Sequence, residues 1–145
     1  MYKTILQLHS YLAYAVLAVL LVAVINAFIG LIGKKEFSLN KDFRISLFAL
    51  VLSHLQLLVG LILYFLSPNG LNAIQENGMG GLSSAARLLS VEHPFINIIA
   101  LILITIGWSK HKKTTSDSKK FRLIAILYGL GLVLYLSRIP YEQWF

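Results

Sequence analysis

Residues 4–33 read TILQLHSYLAYAVLAVLLVAVINAFIGLIG, thirty consecutive positions without an Asp, Glu, Lys or Arg. About 20 helical residues cross a hydrocarbon core of ~30 Å, so this stretch is longer than one membrane span. Three more apolar runs follow, at residues 45–67, 88–109 and 123–140. With a first span at about 5–32, they use nearly the whole chain of 145 residues. The expectation is a single transmembrane unit over residues 1–145, with no soluble domain. None of the runs alternates apolar and polar residues as barrel strands must. The expected fold class is therefore all-α, an integral membrane four-helix bundle of up-down topology.

Charge gives the orientation. Ten of the thirteen basic residues fall in two polar stretches between spans. The first carries Lys34, Lys35, Lys41 and Arg44, and the second Lys110, Lys112, Lys113, Lys119, Lys120 and Arg122. Positive charge marks the cytoplasmic side, so both basic turns are read as inside. An even number of spans then puts both termini on the extracytoplasmic side. The net charge of +7 is not a nucleic-acid signal, because the cations flank spans and the mean hydropathy is +0.74. The N-terminal run is read as a span and not as a removable signal peptide. It far exceeds an h-region of roughly 7–15 residues, and no clear Ala-x-Ala site follows.

The chain has no cysteine. That excludes disulfides, thiolate metal sites, iron–sulfur clusters and covalent haem attachment through Cys-x-x-Cys-His. Gly78-Met79-Gly80-Gly81 lacks the lysine and the strand of a P-loop. Asp42 and Asp117 both fall in the inner turns, which leaves Ser/His/Asp catalysis little support. Ser67-Pro68-Asn69-Gly70 is a turn signal opening an outer loop rich in Gly and Asn. Residues 83–90 suit a short interfacial helix leading into the third span. Residues 110–120 read as a polar, mobile inner loop in which His111 is solvated.

Ionisable groups in a span cost at least a few kcal/mol at mid-bilayer, so His9, His54, Glu92, His93 and Arg138 need a reason. His54 stands ten residues from both Arg44 and Tyr64. At 1.5 Å per residue that is about 15 Å from either interface, near the midplane. His93 is fifteen residues from Trp108, read as an inner aromatic anchor; this puts it ~22 Å away, in the outer part of the bilayer. His9 precedes Tyr11 and Tyr14, which resemble an outer aromatic belt. The third and fourth spans are short in uncharged residues, so Glu92 and Arg138 are drawn to the same outer edge, where an ion pair is expected.

In an up-down bundle the first and third spans lie on a diagonal. His9 and His93 are then placed to approach a central plane from opposite sides, as a bis-histidine haem requires. Asn97 shares the face of His93, followed by Ala100. Arg87, Arg138 and nearby tyrosines are candidates for holding propionates. His54 is the alternative partner of His93 if the third span begins near Ser83. Each residue also has a structural reading: His9 as an interfacial anchor, His54 as a satisfied core histidine, His93 near an N-cap with Pro94 at N1, and Arg138 snorkelling outward.

The chain also resembles small bacterial four-helix membrane proteins labelled cytochrome-b-like. The resemblance runs through Leu8-His9-Ser10, Ser53-His54-Leu55-Gln56-Leu57-Leu58 and Ser67-Pro68. It continues through Val91-Glu92-His93, Ile104-Thr105-Ile106-Gly107 and Ser137-Arg138-Ile139-Pro140. These cover nearly the full length in order. The chain departs from the pattern at Ala13, where the family carries a basic residue. The resemblance implies that His9, His54 and His93 belong together, in a multi-pass protein of the bacterial inner membrane.

The leading expectation is a protein that binds haem b non-covalently and carries electrons rather than acting as a stand-alone enzyme. Its partners would be membrane lipid and other membrane redox proteins, with no nucleic acid. His9 and His93 are the expected iron ligands, with His54 the alternative. Two other expectations stand beside it. One is a cofactor-free accessory subunit packing against other membrane proteins. The other is an outer-facing metal or quinone site built from His9, Glu92 and His93. The charge asymmetry makes the topology testable: a reporter fused after Phe145 should report outside and one inserted at residues 114–118 inside. A cytoplasmic C-terminus would refute the four-span reading.

Overall fold

The computed structural model describes residues 1–144. Among them every regular element is helical and there is no strand. Helix α1 spans Tyr2–Ile32. It ends at Gly33, whose N–H reaches Ile29 O, and Lys34 at φ 48 turns the chain away. A π-helical turn at Leu39–Phe43 leads into α2, Arg44–Leu66. The residue before a proline is pushed out of the α region, and α2 stops where Ser67 becomes extended before Pro68. The outer loop contains α3, Leu71–Asn77, halted by Gly78 at φ 69.

Ser83 caps α4, Ser84–Arg87, by accepting the Ala86 N–H at 3.2 Å. A second π-helical turn, Leu88–Glu92, joins it to α5, His93–Lys113. The interfacial helix expected at residues 83–90 is thus continuous with the third span. His93 lies inside a helix rather than at an N-cap. Pro94 has no N–H to give the carbonyl four residues back, which is that of Ser90. The Tyr64 hydroxyl donates to that carbonyl instead, at 3.0 Å. The inner loop is shorter than expected, because α6, Asp117–Ser137, starts soon after α5 ends. Its N-cap is Ser116, accepting the Lys119 N–H.

Four helical segments are long and apolar enough to cross a membrane. Neighbours pack in the order α1, α2, α5, α6, and α6 returns to α1, so α1 and α5 face one another across the middle. The α2/α5 interface is the thinnest of the four. Large apolar side chains such as Ile25, Phe48, Phe65, Ile102 and Val133 point outward. In water that surface would be a liability, whereas in lipid it is the expected exterior.

The packed core occupies one half of the bundle only. It runs from Val16 to Ala27 on α1, through Ala49, to Ala100–Trp108 on α5 and Phe121–Leu132 on α6. Small residues bring helices close there: Gly30 lies against the Phe121 ring, Gly107 against Leu127 and Gly131 against Ile104. The inner turns are sealed by a polar network. Buried Asp42 accepts Asn26 Nδ2 and the Ser38 N–H, each at 2.7 Å. Ser46 Oγ donates to the Asp42 carbonyl and Tyr128 donates to that of Ser46.

Two sequence expectations fail at this end. His111 is not a solvated loop residue: it is 1 % exposed, bonded to Trp108 O, with Phe37 and Phe43 against its ring. Trp108 is likewise buried against Phe43 and is no interfacial anchor. Phe37 and Phe43, both supplied by the turn between α1 and α2, capture them. Close packing also makes a prediction. A Cβ on Gly131 would meet Ile104 Cγ1 at 2.7 Å, whereas one on Gly129 meets nothing nearer than 3.8 Å. Gly131→Ala should therefore cost about 1–3 kcal/mol. Gly129→Ala should be neutral or stabilising by up to about 1 kcal/mol. Thermal melts of both variants in detergent check this.

Candidate functional site

Where the packed core stops, a cavity of about 610 Å³ begins. All four long helices line it, with residues of the outer loop and the C-terminal segment. On α1 the lining runs from Leu17 to Tyr2, a rise of fifteen residues or about 22 Å of helix. Ser53 and Tyr135 lie at its deep end; Asn69, Met79 and Trp144 lie at the other. Trp144 stacks on Tyr14, with ring centroids 4.5 Å apart. The walls are mainly apolar, and the polar atoms within them converge.

His9 and His93 face each other there. Their ring centroids are 6.2 Å apart and the planes are nearly perpendicular, at 84°. His9 lies over Gly60 of α2, where an added Cβ would stand 3.0 Å from its Cε1. Gly60 thus gives the imidazole its place, and His9 Nδ1 is buried with no hydrogen-bond partner. Gln56, one turn deeper than Gly60, donates its Nε2 to the His9 carbonyl at 2.9 Å.

His93 is held differently. Its Nδ1 lies 2.8 Å from the carbonyl oxygen of Arg138. A carbonyl can only accept, so Nδ1 carries the proton and Nε2 keeps its lone pair. Asn97 Nδ2 stands 3.1 Å from Nε2 and 3.4 Å from Nδ1. Near-equal distances to both nitrogens put the amide over the ring face or its Cε1 edge, away from the in-plane lone pair of Nε2. Asn97 Oδ1 and Gln56 Oε1 are both buried without partners. These two oxygens and His9 Nδ1 are the only buried, unsatisfied side-chain atoms among the described residues, and all three belong to residues lining this one cavity. A buried polar atom left unpaired costs about 1–3 kcal/mol, and all three such atoms are gathered around one cavity.

The other candidates fall elsewhere. His54 is exposed on the outer face of α2 and bonds the Leu50 carbonyl of its own helix at 2.9 Å. The third span does begin early, at Ser84, yet His54 is not brought to the cavity lining. Arg87 and Arg138 also lie outside the lining and are about half exposed. Arg87 Nε reaches Glu92 Oε1 at 3.2 Å, and Arg138 Nε reaches Glu92 Oε2 at 3.6 Å. The expected Glu92–Arg138 pair is present, with Arg87 added to it. Among the described residues, no three His, Cys, Asp or Glu side chains converge to hold a metal ion.

Sequence reasoning passed over Gln56 and Gly60 as site residues. The signal was present: Ser53, Gln56 and Gly60 at i, i+3 and i+7 share one helical face of an otherwise apolar span. No protein-family profile matches this chain, and no curated protein or solved structure shows significant similarity to it. The hydrogen bonding yields one prediction. His93→Ala removes the bond to the exposed Arg138 carbonyl and should destabilise the bundle by about 0.5–1.5 kcal/mol, while His54→Ala should be nearly silent. Melting curves in detergent distinguish them.

Proposed function

We propose that this protein is a b-type haem electron carrier of the bacterial inner membrane, a small subunit or partner of a larger redox complex. The observation that carries the reading is the opposition of His9 and His93 across the cavity. Metal–imidazole bonds of about 2.0–2.1 Å put each ring centroid roughly 3 Å from the metal, hence about 6 Å between two rings on opposite sides. The observed spacing is 6.2 Å. Edge-to-face aromatic packing also spans that distance. It does not account for the cavity around the rings or the locked tautomer of His93.

The residues present fit such a group. His93 offers Nε2 because the Arg138 carbonyl holds Nδ1–H, the arrangement that orients ligand imidazoles in metal sites. Gly60 leaves room for the His9 ring. The apolar walls exclude water, and Arg87 and Arg138 stand beyond the cavity as cations for propionates reaching that end. Haem supplies one-electron redox chemistry when bound. With both His9 and His93 holding it, such a group would be available for electron transfer rather than for binding a substrate, which favours a carrier over a stand-alone enzyme. The same reading takes the bundle as up-down, with both basic turns cytoplasmic and both termini outside.

A second reading is favoured by a separate observation. Gln56 Oε1 and Asn97 Oδ1 are unsatisfied acceptors, and iron satisfies neither. A hydroquinone, with two hydroxyl donors on an apolar ring, would pair with both. It would reach them from the bilayer across the thin α2/α5 interface, past exposed lining residues Leu61 and Phe95. Haem content of alanine variants separates the two readings. His9→Ala and His93→Ala should each lose most bound haem, and His54→Ala should retain it. Full retention in His93→Ala would defeat the haem site, and loss in His54→Ala with retention in His9→Ala would move the second ligand to α2.

A further inference from the structure

The group that fixes His93 is itself fixed by a residue adjacent to His93. The Arg138 carbonyl that accepts His93 Nδ1–H lies just past the end of α6, where φ −131 and ψ 30 have left the helix. Such a carbonyl has no intrahelical partner, and no helical ladder holds it in place. The Arg138 side chain does: its Nε reaches Glu92 Oε2 at 3.6 Å, and its Nη1 donates to the Ser137 carbonyl at 2.9 Å. Glu92 is the last residue of the π-helical turn that opens α5. A π turn carries one residue more than an α turn, and so rotates the succeeding helix by about 100°. The rotation is placed directly before His93. Arg87, across the same turn, binds the other carboxylate oxygen at 3.2 Å. One carboxylate therefore joins both ends of the π turn to the end of α6.

We propose that Glu92 is a positioning residue for His93: by binding Arg138 it holds the Arg138 carbonyl on Nδ1, so that Nε2 presents its lone pair to the cavity. This rests on the haem reading where it concerns iron, and on the geometry alone where it concerns the tautomer. The ion pair is weak as a source of stability, because Arg138 is about half and Glu92 about a third exposed. Its effect is expected on the imidazole and not on the melting temperature. A firmly held Nδ1–H···O bond makes the imidazole a stronger donor, which favours the oxidised metal and lowers the potential. Loosening it should do the reverse.

The test uses the full chain in detergent, with Glu92→Gln and Arg138→Gln, each of which breaks the pair while keeping the backbone. Imidazole ¹⁵N shifts of His93 in cofactor-free protein should report the Nδ1–H form in the unaltered chain and a mixture of tautomers in both variants. Arg138→Lys, which keeps the cation, should restore the single form. In haem-loaded protein, both Gln variants should bind about tenfold more weakly and shift the midpoint potential to more positive values. Unchanged tautomer, affinity and potential in Glu92→Gln would overturn the proposal. An unaltered chain that binds no haem, yet shows the predicted change of tautomer, would overturn the haem reading and leave the positioning role standing.

Discussion

In the interior of a bilayer no water is available to satisfy a polar atom, so every donor and acceptor must find its partner within the protein. The architecture follows from that constraint. The Ser90 carbonyl, left open by Pro94, is taken up by Tyr64. The buried Asp42 carboxylate is filled by Asn26 and the Ser38 N–H. Ser53 and Thr105 turn their hydroxyls onto carbonyls of their own helices. Against this background, three unpaired atoms in one cavity are informative. They lie where the alanine and glycine packing of the inner half gives way to a space ringed by His9, Gln56, His93 and Asn97.

The two halves of the bundle divide the work. The inner half supplies rigidity: Ala23, Ala27, Ala49 and Ala100 let helices approach, and Phe121, Tyr128 and Ile104 fill what remains. The outer half forgoes packing and gathers polar side chains around a cavity. A site built on helices fixed at one end needs bracing at the other. The Glu92 carboxylate, bound by Arg87 and Arg138, provides it, and the Arg138 carbonyl carries the constraint to the His93 ring.

Much of this was legible from residue order. Uninterrupted apolar runs pointed to four helices long and apolar enough to cross a membrane, and the diagonal argument put His9 and His93 on facing helices. The Glu92–Arg138 pair followed from the shortness of the last two apolar runs. Other features were not legible. His111 and Trp108 were misplaced because their burial depends on Phe37 and Phe43, which only the tertiary fold brings to them. His54 was kept as a candidate because depth along a span says nothing about rotation around it; its ring bonds Leu50 O on the outward face. The π-helical turn before His93 left no mark in the hydrophobic pattern, yet it sets the direction of the residue the site depends on.

On the proposed haem reading, His9 and His93 hold one iron between them with their ring planes nearly perpendicular. Low-temperature electron paramagnetic resonance of the oxidised protein, purified from a haem-replete host, tests it most directly. Crossed axial imidazoles predict a low-spin ferric signal of the highly anisotropic type, with one haem per chain. A high-spin ferric signal, showing a single protein ligand, or protein free of haem would contradict it.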